Sequence, residues 1–507
     1  MSNGGAKESV SVILPPAAKL LIAKIYQLIE AGRGAEALPR LSELEDLGRG
    51  SPTILSETEG AMLIDIGSQI GSIELVERGV SLLGAIEVSR LSKSAQSRHW
   101  YNLGNGHAQL YYFKKALRGV QKVLDDEFRR TKDCYRKVMA LPAGPARLRA
   151  RVYTNYGILL RTVGRHVEEI EAYDEALKSV PDFAMALWHK ARGLLWYSRL
   201  VERPTKGSAL SEAWRLLRRS LEAGLESGHQ AKARQELAQL ERVLKEPRVP
   251  FHKHSEHIAH SDIEAKYIKF CVGNRLYLHP CPIHVHEAYQ DPLSVRFPTS
   301  TKNEFLELRS DHLALIKQEY IAARFLLFSY RLEQPDLSFV DRGTYLPSLQ
   351  EGSRQIYLQL LILSFRAAFA ILDKIAFFLN EFCKLCEKQD RVYFREELFL
   401  ADAVLRPELI KFNGPQLAAL FDLACEFSKD QPLYPLKDLR RKLEHRCVTL
   451  RRAQNSPEVG SARASDELTD NELYENALRL MRAVRAAIFY LFYFVRKSVG
   501  PPKAEAR

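Results

Sequence analysis

The chain has 507 residues, of which 46% are hydrophobic and 27% are charged, and this composition excludes a wholly disordered protein. Its length exceeds what one hydrophobic core usually organises, so two or three domains are expected. A formal net charge of +12 favours partners with phosphates or acidic surfaces, while seven scattered cysteines and no apolar leader predict reduced thiols and a cytoplasmic location.

The N-terminal half contains one clear helical repeat, Ala150–Phe183. Its small residues, Gly157 and Ala176, would let two helices approach closely, and Pro181 would end the second helix. The spacing is similar to that of a tetratricopeptide repeat (TPR) of about 34 residues, and weaker copies lie on both sides. Because one repeat cannot bury its apolar face, we expect a TPR-like α-solenoid over residues 16–245 that presents a concave surface to an unknown protein or peptide. A purely structural spacer is the alternative.

Residues 246–301 form a predicted linker in which prolines interrupt the helical pattern. Seven of the fourteen histidines lie between His252 and His286, together with Cys271 and Cys281. This segment lacks the paired Cys and His spacing of a zinc finger, so we expect a solvated or packing role and no metal or cofactor, with a zinc site as the alternative. The CxxC at Cys383–Cys386 has no partner pair and lies in a helical pattern, so its thiols are expected to pack in a core.

A four- or five-helix bundle is predicted for residues 302–498. Its four long helical segments are Lys302–Arg331, Ser353–Cys386, Leu433–Arg452 and Asp466–Ser498, and a shorter one is Asn413–Ser428. The last segment opens with a capping box from Thr469 to Glu472. Its apolar run Ala486–Val495 would rise only about 15 Å, half of a bilayer core, so we expect a buried helix and no membrane partner. The whole chain is therefore predicted to be all-α, with almost no sheet.

The third bundle helix carries the sequence Arg-Arg-Lys-Leu-Glu-His at residues 440–445. An arginine and a histidine with four to six residues between them, on a late helix of a four-helix bundle, resemble the motif of the HEPN superfamily (higher eukaryotes and prokaryotes nucleotide-binding domain). Arg441 stands where the usual form has asparagine or another polar residue. Tyr267–Pro280 and Leu372–Asn380 are further segments similar to a bacterial HEPN subgroup that follows TPR arrays.

The spacing from arginine to histidine also occurs at Arg161–His166 and Arg248–His254, outside any bundle helix. Context, rather than spacing, therefore carries the resemblance. We expect substitution of Arg161 or His166 to leave the activity of the C-terminal bundle unchanged.

The resemblance implies a metal-independent endoribonuclease that acts as a toxin or antiviral effector. In such a reaction the RNA 2′-hydroxyl attacks the adjacent phosphorus. His445, with an ordinary pKa of about 6.5, can move protons near neutral pH. Arg440 stays protonated and can bind two phosphate oxygens at once. Both are expected to be catalytic, and no cluster of carboxylates in the sequence resembles a two-metal site.

Supporting roles are expected for Arg441, Glu444, Asp373 and Lys374. RNA-backbone contacts are expected for basic residues on the same segment, namely Lys442, Arg446, Arg451 and Arg452. Arg440 lies about 140° around the helix from His445, so the two side chains point in different directions. The resemblance to HEPN ribonucleases implies that two bundles pair and that the motifs of both line one cleft. This geometry and the apolar last helix predict a homodimer through the C-terminal bundle.

Two other interpretations compete with the ribonuclease. Residues 440–442 could form a solvated helix face beside a packed histidine. The bundle would then be a non-catalytic protein that binds nucleotide or RNA and dimerises, with the repeats as its interaction scaffold. A DNA-binding adaptor is not supported, because no helix-turn-helix pattern is present.

Overall fold

The computed structural model describes residues 15–47, 52–141, 144–199, 205–245, 259–279, 291–295, 304–332, 355–388, 391–446, 448–451 and 467–499. Of these residues 79% are helical and there is almost no sheet, which confirms the all-α prediction. They divide into two compact units, Met1–Leu159 with Ala172–Ala186, and Leu160–Glu171 with Leu187–Arg507. The domain boundaries predicted near residues 245 and 301 stay a prediction.

The first unit consists of helices that pack as successive pairs. Its helices are α1 (Pro16–Glu30), α2 (Gly34–Leu47), α3 (Pro52–Ile70), α4 (Ile73–Gly84), α5 (Lys93–Phe113), α6 (Val120–Leu124) and α7 (Asp126–Ala140), with parts of α8 (Ala146–Thr162) and α9 (His166–Ser179). A 3₁₀ turn, Val88–Arg90, precedes α5. Helix α1 packs on α2, α3 on α4, and α5 on α7.

The predicted close approach of α8 and α9 is present. A Cβ on Gly157 would lie 2.5 Å from the Tyr173 ring, so only glycine fits at this crossing. Ala176, on the same pair, is fully buried in a cluster with Ala150 and Ala186. The assignment of these helices to the TPR family stays a prediction.

The second unit contains the remaining helices and two small sheets. Its elements are α10 (Ala184–Tyr197), α11 (Thr205–Glu222), α12 (Ser227–Lys245), α13 (Asp262–Gly273), α14 (Glu304–Arg331), α15 (Gln355–Cys383), β1 (Leu400–Ala401), β2 (Val404–Leu405), α16 (Pro415–Cys425), α17 (Tyr434–His445), β3 (Thr449–Arg451), β4 (Glu467–Thr469) and α18 (Asp470–Val499), with 3₁₀ turns at Glu396–Leu398 and Pro407–Phe412. Strands β1 and β2 are antiparallel, with Leu400 opposite Leu405. Strands β3 and β4 are parallel, with Leu450 opposite Leu468.

Helix α18 forms the centre of the bundle, where it contacts α14, α15 and α16. Its residues from Ala486 to Val495 are at most 3% exposed, so the apolar run is buried in the core of its own chain. The predicted capping box is confirmed, because the Thr469 amide donates to Glu472 and the Glu472 amide donates to the Thr469 hydroxyl, at 2.9 and 3.1 Å. Across the described ranges, no helix combines the length and apolar character that a membrane crossing requires.

Two predicted helix ends were wrong. Helix α17 ends at His445 and not at Arg452, because Arg446 is extended (φ −132°, ψ 158°) and the β-branched Thr449 enters strand β3. Helix α15 ends at Cys383, where the Asn380 side chain bonds both the amide and the carbonyl of Glu387, each at 3.1 Å. Cys383 is buried as predicted, but Cys386 lies beyond the helix and is exposed.

Most of the histidine-rich linker lies outside the described residues. This includes Cys281 and five of the seven histidines, which are His252, His254, His257, His284 and His286. His260 is exposed and His279 is buried. The described residues contain no group of three or more His, Cys, Asp or Glu placed to hold a metal ion.

A buried arginine joins α14 to the segment that leads into the bundle. The Arg324 guanidinium donates to both carboxylate oxygens of Asp291 at 2.9 and 2.7 Å, to the Leu276 carbonyl at 3.0 Å and to the Tyr267 hydroxyl at 2.8 Å. Burial disfavours its charge, but the Asp291 hydrogen bonds and carboxylate outweigh burial and raise the pKa of Arg324. This arginine therefore fixes Tyr267–Leu276 against α14.

We expect Arg324→Met to lower the free energy of unfolding by about 3–5 kcal/mol, because it leaves the Asp291 carboxylate buried without its cation. The double variant Arg324→Met/Asp291→Asn should recover part of this loss. The matched control is Arg482→Met, because Arg482 is an exposed arginine on α18 that donates to the Asn274 carbonyl. It should lower the free energy of unfolding by at most about 1 kcal/mol. Urea denaturation measures all three, and equal losses in the two single arginine variants would contradict the assignment.

Candidate active site

Helix α17 is amphipathic, so one face packs into the bundle and the other lines a cleft. Leu436, Leu439 and Leu443 are at most 8% exposed and anchor the helix in the bundle. Pro435 lies in the first turn, where its missing N–H costs nothing. Arg366 of α15 donates to the Leu443 carbonyl and so satisfies one acceptor in the last turn.

The opposite face of α17 lines a cleft of about 480 Å³. Its other walls come from α15 and from the irregular segment that precedes β1. The lining residues are Phe369, Leu372, Asp373, Tyr393, Phe394, Arg395, Phe427, Tyr434, Lys437, Asp438, Arg440, Arg441, Glu444 and His445. Arg440 and His445 thus lie in one cleft of a single chain, although they are about 140° apart around the helix.

Arg440 is held between two carboxylates. Its Nη1 donates to Asp373 Oδ2 and its Nε to Glu444 Oε1, both at 2.9 Å, and the guanidinium lies 5.1 Å from the centre of the Phe369 ring. Burial opposes the charge, but Asp373 and then Glu444 outweigh burial and raise the pKa of Arg440. Because the guanidinium has three further N–H donors, this arrangement orients the group without using all of it.

Asp373 supports Arg440 from α15. Burial raises the pKa of Asp373, while the charge and hydrogen bond of Arg440 work in the opposite direction. Burial is the larger of these effects, so the pKa of Asp373 lies above its ordinary value. The hydrogen bond between Asp373 and Arg440 connects α15 to α17.

His445 and Arg441 lie at the exposed rim of the cleft. The His445 side chain is 72% exposed, and its Nε2 is 3.9 Å from Glu444 Oε2. Arg441 is 68% exposed and donates to Asp438 at 2.7 Å. Both side chains are therefore accessible to a ligand in the cleft.

The other predicted residues lie in different places. Lys374 is ion-paired with Glu319 of α14, and Lys442 approaches Asp438 at 3.7 Å without lining the cleft. Arg446 follows the helix and is exposed. The Arg451 side chain and Arg452 lie outside the described residues.

Residues 310–498 match the model of the LA2681-like HEPN family. A HEPN domain forms the C-terminal part of the chain. The matched range includes every residue that lines the cleft. No curated protein matches the chain.

Several residues of the HEPN cleft were not predicted from the sequence pattern. Tyr434, Asp438, Arg441 and His445 follow one helix face at spacings of four, three and four residues, so this periodicity could have identified Tyr434 and Asp438. Tyr393 and Arg395 come from an irregular segment, and no sequence signal pointed to them. Asn380, a residue of the HEPN-like segment Leu372–Asn380, has a structural role at the end of α15.

Arg161 and His166, which have the same spacing as Arg440 and His445, lie in a buried network. Substituting either residue is therefore a poor control for activity, because the substitution would disturb the fold. Arg161 Nε donates to Glu169 Oε1 at 2.6 Å, and His166 Nδ1 lies 2.8 Å from Glu169 Oε2. Glu169 is fully buried. Burial favours its neutral form, but Arg161 and His166 outweigh burial and lower the pKa of Glu169.

We expect Arg161→Ala to lower the free energy of unfolding by about 3–5 kcal/mol, because it leaves the Glu169 carboxylate buried with its main cation removed. Arg218→Ala is the matched control, since Arg218 is 52% exposed and pairs only loosely with Glu222 at 3.5 Å. Its loss should stay below about 1 kcal/mol. Chemical denaturation compares the two, and a stable Arg161 variant would show that the buried network is dispensable.

Proposed function

We propose that the HEPN domain is a metal-independent endoribonuclease, with His445 and Arg440 as its catalytic residues. The observation that supports this proposal is the shared cleft, in which an oriented arginine and an accessible histidine lie together. The presence of a HEPN domain is in keeping with a nuclease or RNA-related role.

In the proposed reaction the RNA 2′-hydroxyl attacks the adjacent phosphorus and the 5′-oxygen leaves. His445 moves the proton between these oxygens and solvent. Arg440 stabilises the negative charge that builds up on the phosphorane, and Asp373 and Glu444 hold its guanidinium in place. Arg441 adds a second cation at the rim.

Lys442 and Arg446 remain proposed contacts for the RNA backbone. Both follow Arg440 closely, so they extend the positive rim at the end of α17. Lys374 is better explained as the ion-pair partner of Glu319.

We also propose that the protein acts as a toxin or antiviral effector and that its N-terminal helix pairs form a TPR-like docking or sensing surface. The resemblance to HEPN proteins behind TPR arrays is the support for this role.

His445→Ala and Arg440→Ala should each reduce RNA cleavage by the full chain about 10²–10⁴-fold, because one removes the proton-transfer group and the other the transition-state cation. EDTA should have no effect, and the products should end in 2′,3′-cyclic phosphates, because the nucleophile belongs to the RNA. The measurement is a time course on total RNA with end-group analysis of the fragments.

His260→Ala and Arg218→Ala are the matched controls, since both residues are exposed and neither lines the cleft. Both should cleave as fast as the parent protein. If EDTA stopped cleavage, or if the His445 variant kept full activity, the catalytic assignment would be lost. Specific RNA binding without any cleavage would favour the alternative, a non-catalytic binding and dimerisation protein.

The proposed homodimer was expected on two grounds, which were a cleft lined by two bundles and the apolar last helix. The apolar run of α18 cannot mediate dimerisation, because the chain buries that run in its own core. The exposed rim of the cleft, with His445 and Arg441, is the better candidate for the place where a second bundle meets the first.

Light scattering should give about twice the chain mass of 57.8 kDa at micromolar concentration, as expected for a two-fold symmetric dimer. Specific cleavage activity should fall on dilution below the dissociation constant. A monomer with full activity would contradict the proposal.

A further inference from the structure

Two tyrosines lie exposed beside the charged residues of the HEPN cleft. Tyr393 is 46% exposed and Tyr434 is 38% exposed, and both line the cleft. Within the part of the chain that the structure describes, no hydrogen bond of either hydroxyl is present. Both rings are thus partly exposed in one cleft beside charged side chains, and an aromatic or apolar ligand group that covered them would bury further apolar surface.

The two tyrosines line the same cleft as the proposed catalytic residues, Arg440 and His445. Tyr434 begins α17, and Arg441 and His445 follow it on the same helix face. At 1.5 Å per residue, Arg441 lies about 10 Å further along the helix axis. Tyr393 comes from a separate wall, where the Arg395 guanidinium lies 5.6 Å from its ring centre.

The charges of the cleft are almost balanced. Its lining holds four arginine or lysine side chains and three carboxylates, a difference of one positive charge with His445 neutral. Phosphate contacts supply affinity in proportion to the number of phosphates that are neutralised, so a cleft with this balance gains little from charge alone. A nucleic acid that binds here needs a further contribution, and stacking of bases on aromatic rings supplies one.

We propose that Tyr393 and Tyr434 stack on the bases of the nucleotides that flank the scissile phosphate, and thereby make the cleft select unpaired RNA. The proposal rests on the function proposed above, since that function places the phosphate near Arg440 and His445. A base in an A-form duplex is already stacked and paired, so its faces are closed to the tyrosines. A base in a single strand or loop presents its face at a much smaller cost.

Binding is measured with the full chain carrying His445→Ala, so that cleavage does not interfere. The probes are a fluorescent single-stranded RNA of mixed sequence and the same RNA in a duplex, followed by anisotropy at fixed salt. Adding Tyr434→Ala or Tyr393→Ala should raise the Kd for the single strand about 5- to 100-fold. Tyr434→Trp and Tyr393→Phe should keep the affinity, because both retain an aromatic face.

Tyr26→Ala is the matched control, since Tyr26 is 37% exposed on α1 in the first unit. It should change neither Kd. Duplex affinity and the slope of affinity against salt should also stay the same in both alanine variants, because the phosphate contacts are untouched.

Cleavage by the chain with an intact His445 separates the two proposals. If this protein cuts RNA while the tyrosine variants bind and cut like the parent, stacking is overturned and the ribonuclease stands. If single-strand binding depends on the rings but no RNA is cut, the ribonuclease fails and the stacking site stands. An equal loss of affinity for single strand and duplex would mean that the rings only maintain the fold, and this would overturn stacking. Tighter binding of a proline-rich peptide than of RNA would also overturn it, because the exposed rings would then bind a peptide and not bases.

Discussion

A guanidinium that leaves water must find partners for its charge and its N–H groups, and this requirement shapes the second compact unit. Arg324 and Arg485 both find hydrogen-bond acceptors on one short segment, residues 276–279. Arg324 binds the Leu276 carbonyl, and Arg485 binds the carbonyls of Tyr277 and His279 at 2.6 and 2.7 Å. The backbone between α13 and the bundle is thereby fixed from α14 and α18 together.

Arg165 meets the same requirement at the start of α9. Its Nη1 donates to Asp422 at 2.7 Å and to Glu426 at 3.1 Å, and its Nε donates to Glu168 at 2.9 Å. Burial opposes the charge, but Glu168 and the two carboxylates beyond α9 outweigh burial and raise the pKa of Arg165 well above its ordinary value. The residues Leu160–Glu171 belong to the second unit, with which Arg165 makes these ion pairs, although they lie in the middle of the predicted repeat array.

The sequence predicted the helices well where periodicity decides, and poorly where single tertiary contacts decide. The bounds of α14, α15 and α18 lie within about four residues of the predicted ones. The end of α17 was missed, since the helix stops at His445 and a strand pair follows it. The motif helix and its residues 440–445 were found from local pattern. Asp438 was within reach of the same pattern. The place of Tyr393 depends on contacts between distant segments, and the role of Arg161 depends on its contact with Glu169 across the turn between α8 and α9.

The same electrostatic rule separates the two arginines of the motif. Arg440 is part-buried, with 26% of its side chain exposed, and its pairing with Asp373 would be costly to break because both groups would lose their compensation. Arg441 is mostly exposed, and a surface pair such as Arg441–Asp438 is worth about 0–1 kcal/mol. A phosphate can therefore displace Asp438 from Arg441 at little cost, whereas it has to approach Arg440 by its remaining N–H groups. In the proposed ribonuclease reaction, the pre-oriented Arg440 would stabilise the transition state from a fixed position, and the exposed Arg441 would bind phosphate in an adaptable way. The two adjacent arginines would therefore contribute to the proposed reaction in different ways because their surroundings differ.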